Sequence, residues 1–157
     1  MNPEQLSLVF EAPAPRAAVG RAPCGGRVYD LAAIRDEVNL HYFGGRLDVA
    51  IGWSRVGRPR RRRRRITLKL GSWWPHLRAV RIHPVLDHET VPRVVVASVV
   101  HHELLHAEME PEVRRGRRRL HPPEFRHRER EFEGHEEARR WIRDNLLRLA
   151  RRRARMA

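Results

Sequence analysis

The chain predicts an α+β fold built around one hydrophobic core, and three observations carry that prediction. An almost wholly apolar segment, residues 91 to 105, holds a proline near its start and has the length of a helix buried on most of its circumference. Three short clusters of alternating or β-branched residues precede it, at 49–53, 66–70 and 80–82. Helical periodicity frames both ends, so the order reads α-β-β-β-α-α-α, with helices and a small sheet segregated along the chain.

Each element has a local cause. Asp30 stands where an N-cap is needed for a first helix over about 31–42, which buries Leu31, Ile34, Val38 and Tyr42, and Gly44-Gly45 ends it. The strands follow as a small hairpin sheet, with Arg55, Arg58 and Arg60 to Arg65 expected at a hairpin tip. The apolar helix runs from about Pro92 to Met109, covered by Val94, Val95, Val96, Val99, Val100, Leu104 and Leu105. A third helix opens after Pro122-Pro123. A last one, from about Glu136, carries Trp141, Ile142, Leu146, Leu147 and Leu149.

Composition bounds the organisation. With 157 residues, 41% of them hydrophobic, there is material for one core, and no apolar run approaches the ~18 residues of a membrane span. Residues 11 to 26, where Pro13, Pro15, Gly20, Pro23, Gly25 and Gly26 stand among alanines, cannot bury enough surface to offset their ordering entropy. Residues 1–27 are therefore expected as a flexible arm, 28–150 as the domain and 151–157 as a basic tail that frays. Met1 to Phe10 lack the pattern of a signal peptide. The single cysteine, Cys24, excludes an internal disulfide, so the expected location is the cytoplasm and no membrane partner is expected.

Inside the apolar helix stands His101-His102-Glu103-Leu104-Leu105-His106. Residues four apart share one face of a helix, so His102 and His106 can both turn an imidazole nitrogen to one metal ion, with Glu103 beside them to take a proton from water. An ionisable His-Glu-His set within a buried helix would be costly without a metal or a dense hydrogen-bond network. His101 falls off the ligand stripe, in a supporting or structural role. The metzincin continuation is absent: Met109 and Glu112 occupy the positions of its glycine and third histidine. The favoured third ligand is His121, held at a helix entrance by the two prolines that follow. His127 and His135 compete with it, as do Glu124 and Glu129 if the donor set is His₂Glu. Glu124 can instead cap its helix or orient His121.

Charge is the second feature. Net charge is +14, and the arginines Arg58, Arg60, Arg61, Arg62, Arg63, Arg64 and Arg65 cluster near Trp53, Trp73 and Trp74 in the same expected sheet. Guanidinium forks on phosphates and indoles stacked on bases would make a DNA platform of this hairpin. The competing reading is a solvated arginine loop, with the tryptophans closing the core.

These residues resemble the SprT-like (Spartan-like) zinc metalloproteases. Beyond His102 to His106, the resemblance rests on Phe43-Gly44-Gly45-Arg46-Leu47, Leu70-Gly71-Ser72, Ile82-His83-Pro84-Val85-Leu86-Asp87, Val91-Pro92 and His121-Pro122-Pro123-Glu124-Phe125, over roughly residues 28 to 145. It implies a minimal zincin-like core and one Zn²⁺ ion on His102, His106 and His121. It also implies Glu103 as general base and proteins associated with DNA as substrates. Pro122 replaces the family's glycine, and with one cysteine the four-cysteine zinc ribbon of some members cannot be built here.

The expectation is a zinc metalloendopeptidase. Two other classes fit the same residues: a nucleic-acid-binding protein with a structural zinc site closed by a fourth ligand such as His127, and a zinc hydrolase of non-peptide bonds.

Overall fold

The computed structural model describes residues 23–56, 68–109, 111–114 and 117–156, with backbone alone for 112–114, 117 and 118. The fold is α+β. Four helices, α1 (Leu31–Phe43), α2 (Arg93–Glu108), α3 (Pro123–Arg130) and α4 (His135–Met156), accompany a three-stranded sheet of β1 (Ala50–Trp53), β2 (Gly71–Trp74) and β3 (Ala79–Ile82). A two-stranded antiparallel ribbon, β4 (Glu112–Arg114) with β5 (Arg117–Arg119), lies between α2 and α3.

α1 is held at both ends by the expected residues. The Asp30 carboxylate accepts from the Ala32 and Ala33 amides at 2.8 and 3.4 Å. At the other end Gly44 and Gly45 take φ of 62° and 71°, which a side chain would strain, and the Gly45 amide donates to the Asn39 carbonyl. Asn39 is buried and fully used: its amide donates to the Leu47 carbonyl at 2.9 Å while its oxygen accepts from the Leu47 amide at 3.2 Å. This fixes the path into β1.

Sheet topology departs from the expected hairpin order. The strands lie β1-β3-β2, with β1 parallel and β2 antiparallel to β3. The hairpin is therefore β2–β3, turning through Pro75–Leu77, and β1 and β2, which come before and after residues 57–67 in the chain, lie at opposite edges of the sheet. Of Arg58 and Arg60 to Arg65 themselves nothing is described, since residues 57–67 lie outside the described set. The strand expected at 66–70 begins later, at Gly71, because the ladder with β3 starts at the Gly71–Ile82 pair. Leu68 and Leu70 are buried all the same.

α2 is the centre of the molecule. It packs on α1, α3, α4, β2 and β3, and Val95, Val96, Val100, Leu104 and Leu105 are fully buried. Residues 23–27, expected within the flexible arm, are tied to this core. The Pro23 carbonyl accepts from the Trp53 amide, and the Asp87 carboxylate accepts from three successive amides, Arg27, Val28 and Tyr29, at 2.6, 2.8 and 3.1 Å. Tyr29 closes the latch by donating its hydroxyl to the Val91 carbonyl just before α2. α4 runs on past residue 151. It continues to Met156, because Leu149 anchors its last turns in the core and Arg152 reaches the Val85 carbonyl and the Thr90 hydroxyl.

Candidate metal centre

α2 brings His102 and His106 one turn apart on one face, and the chain beyond the β4–β5 ribbon returns His121 to the same point. The Nε2 atoms form a triangle: 3.2 Å from His102 to His106, 3.3 Å from His102 to His121 and 3.0 Å from His106 to His121. Among the described residues this is the one group of three or more His, Cys, Asp or Glu that could hold a metal ion. Three single nitrogens in a triangle cannot satisfy one another. Each either carries a proton or offers a lone pair, so at least one edge joins two donors or two acceptors. A cation takes all three lone pairs at once. Tetrahedral bonds of about 2.0–2.1 Å give ligand separations of about 3.3–3.4 Å, close to the triangle observed.

The surroundings favour neutral imidazoles. Burial, with His102 nearby, lowers His106 to a pKa of about 3 and His121 to about 4, so both carry lone pairs at neutral pH. His102 is set by a residue of α3: its Nδ1 lies 2.6 Å from a Glu129 carboxylate oxygen. With Nδ1–H donating there, the Nε2 lone pair of His102 is kept for the cluster. Burial opposes ionisation of Glu129, yet the hydrogen bond from His102 and the adjacent imidazoles together bring its pKa below the usual carboxylate value. Phe125 forms the floor, its ring centroid 4.6–5.1 Å from those of all three imidazoles.

A carboxylate holds α3 in place. Glu108, at the end of α2, receives Arg46 at 3.0 Å on one oxygen and Arg128 at 2.9 Å on the other. Arg128 neighbours Glu129, so the turn beyond Gly44-Gly45, the metal helix and α3 meet at one ion cluster.

The remaining candidates separate clearly. Glu129 supports His102 through Nδ1 and stands apart from the nitrogen triangle as a ligand. His127 is exposed and 3.6 Å from Glu131, His135 lies 3.8 Å from Glu136, and Glu124 is exposed in the first turn of α3. His101 faces away, enclosed by Tyr42, Phe43 and Phe132 at centroid distances of 4.8, 5.5 and 5.2 Å, and burial lowers its pKa to about 3. It is a core histidine.

Glu103 is the least satisfied group in the site. It is completely buried, and neither carboxylate oxygen has a hydrogen-bond partner among the described residues. The Lys69 charge and the Trp73 backbone amide act to lower its pKa, the amide without making a hydrogen bond of normal geometry. Burial dominates and raises the pKa to about 8. Its position depends on Gly71: a Cβ there would meet the Glu103 carboxylate at 2.5 Å. Gly71 was visible in the sequence only as part of a motif. Its role follows from β2 lying directly over α2.

The expected aromatic platform is divided by the sheet. Trp53 is buried and sits beside Ile82 and thus at the Gly71 end, whereas Trp73 and Trp74, both half-buried, lie at the other end.

Two predictions follow from this geometry. Replacing Glu129 with Ala weakens binding of a divalent cation about 10–100-fold, read with zinc as the probe in competition with a chromophoric chelator, because His102 loses its orienting acceptor. An unchanged affinity removes Glu129 from the site. In metal-free protein, Glu103 has a folded pKa above its unfolded value, so its contribution to stability is present below about pH 4.5 and is lost as pH rises toward 8. Glu103→Gln therefore raises thermal stability relative to wild type at pH 8, by on the order of 4 kcal/mol, and by much less at pH 5. Equal differences at both pH values contradict a buried titrating carboxyl.

Compared with family models, curated proteins and solved structures, the chain matches none, so what the site can do is argued from its own side chains.

Proposed function

We propose that the chain is a zinc-dependent metalloendopeptidase, with His102, His106 and His121 as ligands and Glu103 as general base. The observation that carries this reading is the convergence of the His102, His106 and His121 imidazole nitrogens, with Glu103 on the helix that supplies two of them buried and without a hydrogen-bond partner among the described residues. The donor set fits zinc: three nitrogen ligands leave one tetrahedral position open. A zinc ion there supplies Lewis acidity to the attacked carbonyl and to the attacking water. Glu103 receives the proton of that water on a carboxylate oxygen and delivers it to the leaving amide nitrogen as the C–N bond breaks. A dication nearby lowers the Glu103 pKa from its metal-free value, which makes the carboxylate available as a base near neutrality.

Two features support peptide as substrate. β2 is an edge strand paired only with β3 among the described residues, and its first residue, Gly71, touches Glu103. An extended chain added along β2 would lay its backbone carbonyls past the base. A structural site closed by His127 is disfavoured, since that side chain is exposed and directed to Glu131. The resemblance to SprT-like proteases and the net charge of +14 together support DNA-associated proteins as the substrate class.

Glu103→Gln tests the role directly. Zinc content stays at one ion per chain while cleavage of an unstructured basic protein falls to background. Full cleavage by this variant refutes the general-base assignment, and zinc-loaded wild type that cleaves esters or phosphodiesters but no peptide moves the site to another hydrolase class.

A further inference from the structure

We propose that Arg81 and Ser72 form a phosphate-binding site on the face of the sheet turned away from α2, separate from the metal centre and independent of the peptidase reading. Five polar or charged residues are buried among those described: Asn39, Arg81, His101, His102 and Glu103. Asn39 is bonded twice to Leu47, His101 is packed among aromatic rings, and His102 and Glu103 belong to the metal centre. Arg81 has no such setting. It is 8% exposed, and among the described residues its guanidinium makes one hydrogen bond, from Nη1 to the Val80 carbonyl. At 3.3 Å this is longer than the roughly 2.7–3.2 Å of an ordinary bond. No carboxylate of the described residues pairs with it. A guanidinium has five N–H donors and keeps its proton even where burial lowers its pKa, as it does here. A cation buried in this way is costly until an anion joins it.

The ladders give its surroundings. Gly52 of β1 and Ser72 of β2 stand directly opposite Arg81, and residues so paired point to the same face. Gly71 meets the Glu103 carboxylate of α2, so its neighbour Ser72, and Arg81 with it, open on the other face. Gly52 has no side chain to fill the space over β1. The Ser72 oxygen accepts the Trp74 indole N–H at 3.1 Å, which leaves the hydroxyl hydrogen to donate. One row of the sheet thus sets a guanidinium fork beside an oriented hydroxyl. A flat carboxylate gives both its oxygens to the fork, whereas a tetrahedral phosphate has a third oxygen for Ser72. Burial narrows the class further. A phosphate ion or a terminal phosphate monoester can reach a residue so little exposed; a phosphodiester within a strand, flanked by sugars on both sides, cannot.

The test titrates inorganic phosphate into the metal-free full chain, so that no zinc competes for it, against sodium chloride at equal ionic strength. In wild type, phosphate moves the NMR amide signals of Gly52, Ser72 and Arg81 and raises the thermal midpoint. Arg81→Met, without phosphate, is at least as stable as wild type because the unpaired charge is gone, and its phosphate affinity falls at least about 100-fold. Ser72→Ala weakens binding about 10-fold. Adenosine 5′-monophosphate beside adenosine separates the sources: binding of the monophosphate through the same amides assigns a nucleotide end, binding of phosphate alone assigns the free ion, and either upholds the site. Equal responses of wild type and both variants mark an ordinary counterion on a chain of net charge +14 and overturn it. A destabilised Arg81→Met, with wild-type amides of this row unmoved by phosphate, marks a structural arginine and overturns it too. Should Arg81→Met fail to fold, Ser72→Ala decides, and an unchanged phosphate affinity in that variant rejects the site.

Discussion

The structure depends on one constraint: α2 must be apolar enough to run through the core and yet carry two imidazoles and a carboxyl at its buried end. Each group would be destabilising there alone. The chain resolves the conflict by collecting them. His102 and His106 turn to the third imidazole of His121, and Glu103 goes under Gly71, a strand position that has no side chain. Three imidazole nitrogens brought to one point and a buried carboxyl with no partner among the described residues are poor choices for stability and good ones for holding a cation and moving a proton.

Much of the rest can be understood as support for that arrangement. Phe125 packs against all three rings and limits the directions in which they can turn. Glu129 fixes the tautomer of His102, and Glu108 fixes α3, which carries Glu129, by receiving Arg128 and Arg46 at once. Asp87, in the segment ahead of α2, gathers the three successive amides of Arg27, Val28 and Tyr29 and so ties the chain before α1 to the core. A metal site needs ligands placed to a fraction of an ångström, and side chains locked by packing and hydrogen bonds supply that rigidity.

How much of this was legible in the sequence depends on range. Signals confined to one turn or one helix face could be read directly: the Asp30 cap, the Gly44-Gly45 stop, the apolar circumference of α2 and the shared face of His102 and His106. His121 was readable because proline stiffens its surroundings. Pairing between distant segments was not. The β1-β3-β2 order, which places an edge strand over Glu103, comes from register and packing that alternation alone does not encode. The β4–β5 ribbon is charged at every position but Val113 and has no periodicity to mark it. Glu129 carried the right chemistry for a ligand. Only the fold shows it approaching Nδ1 of His102 from behind, and an acidic residue on the helix after a ligand histidine is the faint signal that could have been weighed as an orienting partner.

The measurement that bears most directly on the central claim is X-ray absorption at the zinc edge of protein purified and reconstituted with one equivalent of zinc. The account predicts a four-coordinate ion with three imidazole nitrogens at about 2.0–2.1 Å and one light-atom ligand exchangeable with solvent. A site that binds no zinc, or one whose fourth ligand is a further imidazole or the Cys24 thiolate, would contradict it.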